Sequence, residues 1–197
     1  MAETLINISS MECVDEIYVV THPDYMEETE NIAFNSDTHK IYGVLPGGDT
    51  RHESVENALG YLEEKGEDLS SLIAIFDGDR PGIEEEIVEE NYLQAERVGA
   101  AVTALPAVDS VFSSDDGDYV KNYLDRKTIF LAQTPQTFRF DIILNAYKES
   151  GLTSTDDASL VAQMGQKIVI VEGNRKNDKI TYPGDMDVYL LRSRNQS

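Results

Sequence analysis

The sequence predicts an α/β protein, a mainly parallel sheet with helices on both faces and a projecting β-hairpin arm. Three observations predict it. Short β-branched runs alternate with longer stretches of helical periodicity, as in βαβ units. Two of the runs stop at Pro46-Gly47-Gly48 and Asp77-Gly78, residues that end strands. One stretch, Val108 to Gln133, breaks the alternation with short pieces around Ser113-Ser114-Asp115-Asp116-Gly117-Asp118, a strong turn signal.

Taken in order, Glu16 to Thr21 (EIYVVT) reads as a buried strand and Tyr25 to Phe34 as a short helix. Lys40 to Leu45 (KIYGVL) is a second strand. Val55, Ala58, Leu59 and Leu62 give Ser54 to Lys65 one apolar helical face. A third strand, Ser71 to Phe76, leads through Pro81-Gly82 to an acidic helix over about 83–98. Ala100 to Pro106 is a fourth strand. After the arm, helices are expected over Asp141 to Glu149 and Asp156 to Met164. A last strand, Lys167 to Val171, precedes a terminal helix over Asp185 to Arg192. No linker or repeat divides the 197 residues, so one Rossmann-like domain, 1–197, with its arm at about 108–133, is expected. Ligands of such sheets bind at the carboxyl ends of strands.

Composition narrows the function. Sixteen Lys and Arg against 37 Asp and Glu leave a net charge of -21, which repels nucleic acid and anionic membranes. That acidity fits a solvated surface, or adaptation to high salt. A phosphorylated substrate would need a local basic pocket or a divalent cation to offset it. Cys13, the only cysteine, excludes an internal disulfide and is expected to be buried. No apolar run approaches the roughly 20 residues of a membrane span. The first residues lack the basic start of a signal peptide, so a cytoplasmic protein is expected.

Five constellations carry possible chemistry. Gly47-Gly48-Asp49-Thr50-Arg51-His52-Glu53-Ser54 follows the second strand. Its glycines allow close backbone approach, and Asp49 and Ser54 suit a nucleobase edge. The plainer account is a glycine turn and a helix start, with Asp49 or Ser54 as cap. Phe76-Asp77-Gly78-Asp79-Arg80-Pro81 ends the third strand. There a carboxylate can take a hard cation and Arg80 a phosphate, or the two can simply pair. Asp125-Arg126 and Gln133-Thr134-Pro135-Gln136-Thr137-Phe138 suggest a shaped pocket or a structural turn. Thr155-Asp156-Asp157-Ala158-Ser159 opens a helix, with Thr155 as a natural N-cap. Lys179, in Asn177-Asp178-Lys179-Ile180-Thr181, is a candidate phosphate ligand or a surface lysine.

In this order and spacing, these segments resemble the 2-C-methyl-D-erythritol 4-phosphate cytidylyltransferase family, and more distantly the ribitol 5-phosphate cytidylyltransferases. The resemblance covers about Leu5 to Leu191. It implies transfer of CMP from CTP to an alcohol phosphate, with magnesium and release of pyrophosphate. By that resemblance Gly48, Asp49 and Ser54 would read cytosine, and Asp77 would take the metal and nucleotide position. Arg80 would serve the phosphate side, Arg126 and Thr134 the alcohol-phosphate side, Thr155 the substrate and Lys179 the nucleotide. The family is a homodimer whose arm reaches its partner's site.

Two departures accompany the resemblance. The family opens with a strand and a Gly-rich loop that wraps the triphosphate; here residues Glu3 to Cys13 resemble the helix after that loop. The chain is thus expected to enter the pattern about 40 residues late, one βαβ opening unit, leaving strand edges unpaired. In addition, Phe76 and Gly78-Asp79 stand where the family carries His and two small residues. Asp79 would either weaken nucleotide binding or add a metal ligand. The Thr155–Ser159 and Gln133–Phe138 segments point to methylerythritol phosphate, whereas Ile87–Asn91 looks more like the ribitol enzymes. A non-catalytic remnant acting as an interaction or dimer partner is the alternative from another class.

Overall fold

In a computed structural model, residues 1–35, 39–149 and 156–194 are described. The chain opens with α1 (Ala2–Ser10), β1 (Ile17–Thr21) and α2 (Met26–Asn35). Next come β2 (Ile41–Pro46), α3 (Arg51–Lys65), β3 (Leu72–Ile75), α4 (Glu85–Val98) and β4 (Ala100–Pro106). The hairpin β5 (Val111–Ser113) and β6 (Asn122–Leu124) leads back into β7 (Phe130–Arg139). α5 (Phe140–Lys148), α6 (Asp157–Gln163), β8 (Val169–Glu172) and α7 (Pro183–Arg194) complete the α/β layering.

The strands form one parallel pair, β1–β2, a four-stranded sheet in the order β3-β7-β4-β8, and the small hairpin. β4 and β8 are parallel, while β7 runs antiparallel to both β3 and β4. The arm explains β7: the chain leaves the sheet along β4, turns in the hairpin and returns beside the strand it left. The arm therefore spans less than 108–133, because Phe130 onward already pairs with β4. Among the described residues β1 pairs only with β2, and β3 only with β7, so each keeps one free edge.

β7 is the strand that sequence periodicity does not show, since Pro135 and its polar neighbours argue against a central strand. Proline is tolerated at bulges, and the β4–β7 register does shift between Val102 and Ala104. Side chains hold this irregular stretch. Asn91 of α4, fully buried, donates to Thr103 Oγ1 at 2.9 Å, and Thr103 donates to the Pro135 carbonyl at 2.8 Å.

Two apolar clusters position everything else. Leu59, Leu62, Phe138, Phe140, Ile143, Leu160 and Val161 join α3, α5 and α6 to the four-stranded sheet. Leu5, Ile8, Met11, Val19, Ala33, Ile41 and Val88 join α1, α2 and α4 to the β1–β2 pair. Phe138 and Phe140 are both fully buried, worth about 1.5–3 kcal/mol each relative to exposure. Cys13 is partly buried against the second cluster, and burial, with Glu85 and Glu89 nearby, pushes its thiol pKa up, as expected of a structural thiol.

Candidate active site

The loop after β2 enters α3 through a capping box: Thr50 Oγ1 accepts from Glu53 N, and the Glu53 carboxylate accepts from Thr50 N. Thr50, rather than Asp49 or Ser54, is therefore the cap. Ser54 is left to hold the glycine loop. Its hydroxyl accepts from Gly48 N at 3.1 Å and donates to the Thr50 carbonyl at 2.9 Å. A β-carbon on Gly48 would lie 2.4 Å from that of Glu53, so only glycine fits this close against the helix. Asp49 is exposed beside them.

Asp77, at the end of β3, is the hub of the second constellation. Its backbone N–H donates to Thr134 Oγ1 at 3.0 Å, which ties β3's exit to β7. Three cations surround its carboxylate: Arg80 Nε at 3.1 Å, Lys179 Nζ at 3.3 Å and Arg51 Nε at 3.6 Å. Burial works to raise its pKa, but Lys179, Arg80 and Arg51 together hold it below the ordinary carboxylate value. A depressed folded pKa means these pairs stabilise the fold above the unfolded value. The contribution fades only as pH falls through the lower folded value, so Asp77 is ionised at neutral pH.

Arg51 has a second, stronger commitment. Its guanidinium donates to Asp157 at 3.0 and 2.6 Å, a bidentate pair, and Asp157 is fully buried. Burial pulls the Arg51 pKa down, and the Asp157 bonds more than reverse this. Tyr147 donates its hydroxyl to the same carboxylate and stacks on His52, ring centroids 4.7 Å apart. Gln136 clamps the start of α6, donating to Asp156 and accepting from Ala158 N at 2.9 Å. Asp156 caps that helix by accepting from Ser159 N.

The last loop is locked onto the Asp77 loop. Arg80 donates to the Asn177 carbonyl at 2.9 Å, and Ile180 N donates to the Asp79 carbonyl at 2.9 Å. Gln133 donates to the carbonyls of Asn174 and Asn177. Gly82 makes the fit possible, because a β-carbon there would lie 2.0 Å from the Lys176 carbonyl oxygen. Gly82→Ala is therefore expected to cost about 1–3 kcal/mol by overpacking and to shift the loop that carries Lys179. In thermal melts it should fall below wild type, whereas Gly60→Ala, whose added methyl meets nothing within 4 Å, should not. Equal melting of Gly82→Ala and wild type would refute the close packing.

Arg51, Asp77, Arg80, Thr134, Gln136, Asp156 and Lys179 line a cavity of about 180 Å³. That is smaller than the ~300–1,000 Å³ of a whole small-molecule cleft, and suits the phosphate end of a ligand. A larger groove of about 730 Å³ lies between α1 and α2, but Asp24, Glu27 and Glu28 line it and would repel phosphate. Of the two, the smaller carries cationic side chains, Arg51, Arg80 and Lys179, and the larger carries none. Among the described residues no three His, Cys, Asp or Glu side chains converge on a metal position. One carboxylate, Asp77, is what magnesium asks of a protein when phosphate oxygens and water fill its other positions.

The fold thus gathers Asp77, Arg80, Thr134 and Lys179 in one cavity, with Gly48 and Ser54 in the loop that starts α3. Arg126 is apart from them, exposed on the arm and donating to the Val108 carbonyl at 2.7 Å. Thr155 lies outside the described residues. Sequence reasoning passed over Arg51, Asp157, Gln136 and Gly82. Arg51 and Asp157 stand inside quoted segments, but 106 positions separate them and no local pattern pairs them.

Comparison with known proteins places nearly the whole chain in one family. The family model described as "IspD: 2-C-methyl-D-erythritol 4-phosphate cytidylyltransferase" matches residues 1–190. The 2-C-methyl-D-erythritol 4-phosphate cytidylyltransferase of Syntrophus aciditrophicus is 39% identical over 190 residues, 94% of this chain and 80% of that protein. The enzyme of the same name from Thermosipho africanus is 36% identical, over 89% of this chain and 77% of its own. The crystal structure of 4-diphosphocytidyl-2C-methyl-D-erythritol synthase from Anaerococcus prevotii superposes with a TM-score of 0.84 at 28% identity. That match covers 98% of this chain and 85% of the other. No helix among the described residues is long and apolar enough to cross a membrane. With its Asp77 hub, its glycine loop before α3 and this breadth of similarity, the chain belongs to the 2-C-methyl-D-erythritol 4-phosphate cytidylyltransferase (IspD) family.

Proposed function

We propose that this chain is a nucleotidyltransferase that moves CMP from CTP to 2-C-methyl-D-erythritol 4-phosphate, releasing pyrophosphate. The observation that carries the reading is the Asp77 carboxylate ringed by Arg80, Lys179 and Arg51 in an otherwise acidic protein. In a protein of net charge -21, three cations lining one cavity supply the local positive charge that phosphates need.

In the reaction an oxygen of the alcohol phosphate attacks the α-phosphorus of CTP. The bond from that phosphorus to the bridging oxygen breaks, and pyrophosphate leaves with the bonding electrons. The protein's part is to position the groups and offset the charge that develops. Gly48, Asp49 and Ser54 read the cytosine from the loop before α3. Arg80 and Lys179 face the phosphates, and Thr134, which fixes Asp77 N, serves the alcohol-phosphate side. Asp77 is the residue that would hold magnesium, and the ion would supply positive charge to offset part of that on the phosphates. Arg126 and Thr155 complete the alcohol-phosphate side, Arg126 from the arm of a partner copy in a homodimer. Support for the dimer comes from the hairpin itself, which exposes Phe112, Tyr119 and Tyr123 at 52%, 77% and 74%, too much apolar ring surface for a solvated arm.

The test is pyrophosphate release by the purified chain from CTP and magnesium, with 2-C-methyl-D-erythritol 4-phosphate and ribitol 5-phosphate in parallel and light-scattering mass alongside. Release with the first substrate by a dimer is the expected result. Release only with ribitol 5-phosphate, or none from a folded chain, would overturn the substrate or the activity.

A further inference from the structure

We infer that Asp79 makes nucleotide binding by this chain depend on a divalent cation, by acting as a positioning residue on Lys179. This rests on the cavity being the CTP site. Lys179 Nζ is shared between two carboxylates, Asp77 at 3.3 Å and Asp79 at 3.5 Å. The other two cations have commitments of their own. Arg51 is bidentate to Asp157, and Arg80 is held by Asp77 and the Asn177 carbonyl. Lys179, about 43% exposed, is therefore the cation freest to turn to a phosphate; Asp77 keeps Arg80 and Arg51 when it does, whereas Asp79 loses the cation beside it.

The Asp79 Oδ1 is buried and makes no hydrogen bond, and among the described residues Lys179 is the one cation that pairs with its carboxylate. Its backbone carbonyl is fixed by Ile180 N, the residue next to Lys179, which keeps carboxylate and ammonium facing each other. Arg51, Arg80 and Lys179 line the cavity with Asp77 and Asp156, and Asp79 adds a further negative charge beside Lys179. A triphosphate arriving alone takes Lys179 from Asp79, and the loss of that pair is set against binding. A divalent cation arriving with it restores the balance. Phosphate and cation binding are thereby linked, and a neutral side chain at position 79 would loosen the link.

Titration calorimetry of the full chain with CTP, in magnesium and in EDTA, tests this on wild type, Asp79→Asn, Lys179→Ala and the double variant. Asp79→Asn is expected to tighten metal-free CTP binding roughly threefold to fivefold, the upper size of a half-exposed charge pair, and to change binding in saturating magnesium by less than about twofold. In the Lys179→Ala background the metal-free gain should vanish. An equal gain with and without magnesium, or a gain that survives Lys179→Ala, would overturn the inference and leave direct repulsion of phosphate by Asp79. Absence of CTP binding by every folded protein, in either condition, would overturn the nucleotide-site reading and the inference together. Far-ultraviolet melts on each variant establish that it is folded.

Discussion

Arg51→Ala is expected to be the most destabilising single change at the site, by about 3 kcal/mol. Removing the guanidinium leaves Asp157, fully buried, with a negative charge and, among the described residues, the Tyr147 hydroxyl alone to meet it. Breaking a buried pair in this way ordinarily costs about 3–5 kcal/mol. The lower end applies because Arg51 is itself about 35% exposed, so water can enter the space it vacates. For a chain of this size the midpoint of thermal unfolding should fall by roughly 6–12 °C. Arg51→Ala combined with Asp157→Asn should lose less than the two single changes summed, because no uncompensated charge remains. Strict additivity in melts of the three variants would mean that the pair does not interact as drawn. A fall of under 2 °C for Arg51→Ala would mean that the Asp157 charge is relieved elsewhere.

That pair also marks the boundary of what the sequence makes legible. β4 could be placed at Ala100–Pro106, because its small and β-branched residues alternate without interruption between a helix-ending Gly99 and a proline. The helices could be placed to within a turn from apolar spacing and Gly66 or Gly99 at their ends. β7 could not, because its burial comes from both neighbouring strands while its sequence carries Gln, Thr and Pro. Asp77, Arg80 and Lys179 were legible because each stands in a short segment at a strand's end or a turn after the sheet. The partnership of Asp77 with Arg51, and of Arg51 with Asp157, was not. It depends on α3 and α6 starting at the same edge of the sheet, which only tertiary packing decides. In sequence Gly82 stands only in the Pro81-Gly82 step before a helix, and its close approach to Lys176 is visible only once both loops are folded.

Lys179→Ala should behave in the opposite way to Arg51→Ala, leaving the fold nearly intact and removing most of the activity. Lys179 is about 43% exposed, and its pairs with Asp77 and Asp79 at 3.3 and 3.5 Å are of the half-solvated kind, worth about 0–1 kcal/mol of stability. Losing them should move the melting midpoint by no more than a few degrees. On the proposed function the same ammonium, lining a cavity of about 180 Å³, would offset charge that builds as the bond to pyrophosphate breaks. Removal of one such electrostatic group typically lowers kcat by about 10²–10³. The loss should fall more on kcat than on KM, because the charge it meets is greatest in the transition state. Steady-state kinetics and melts on one preparation decide the matter. A rate within threefold of wild type would remove Lys179 from the phosphate side. A large fall in melting temperature would show that its bonds to Asp77 and Asp79 hold the loop rather than serve the reaction.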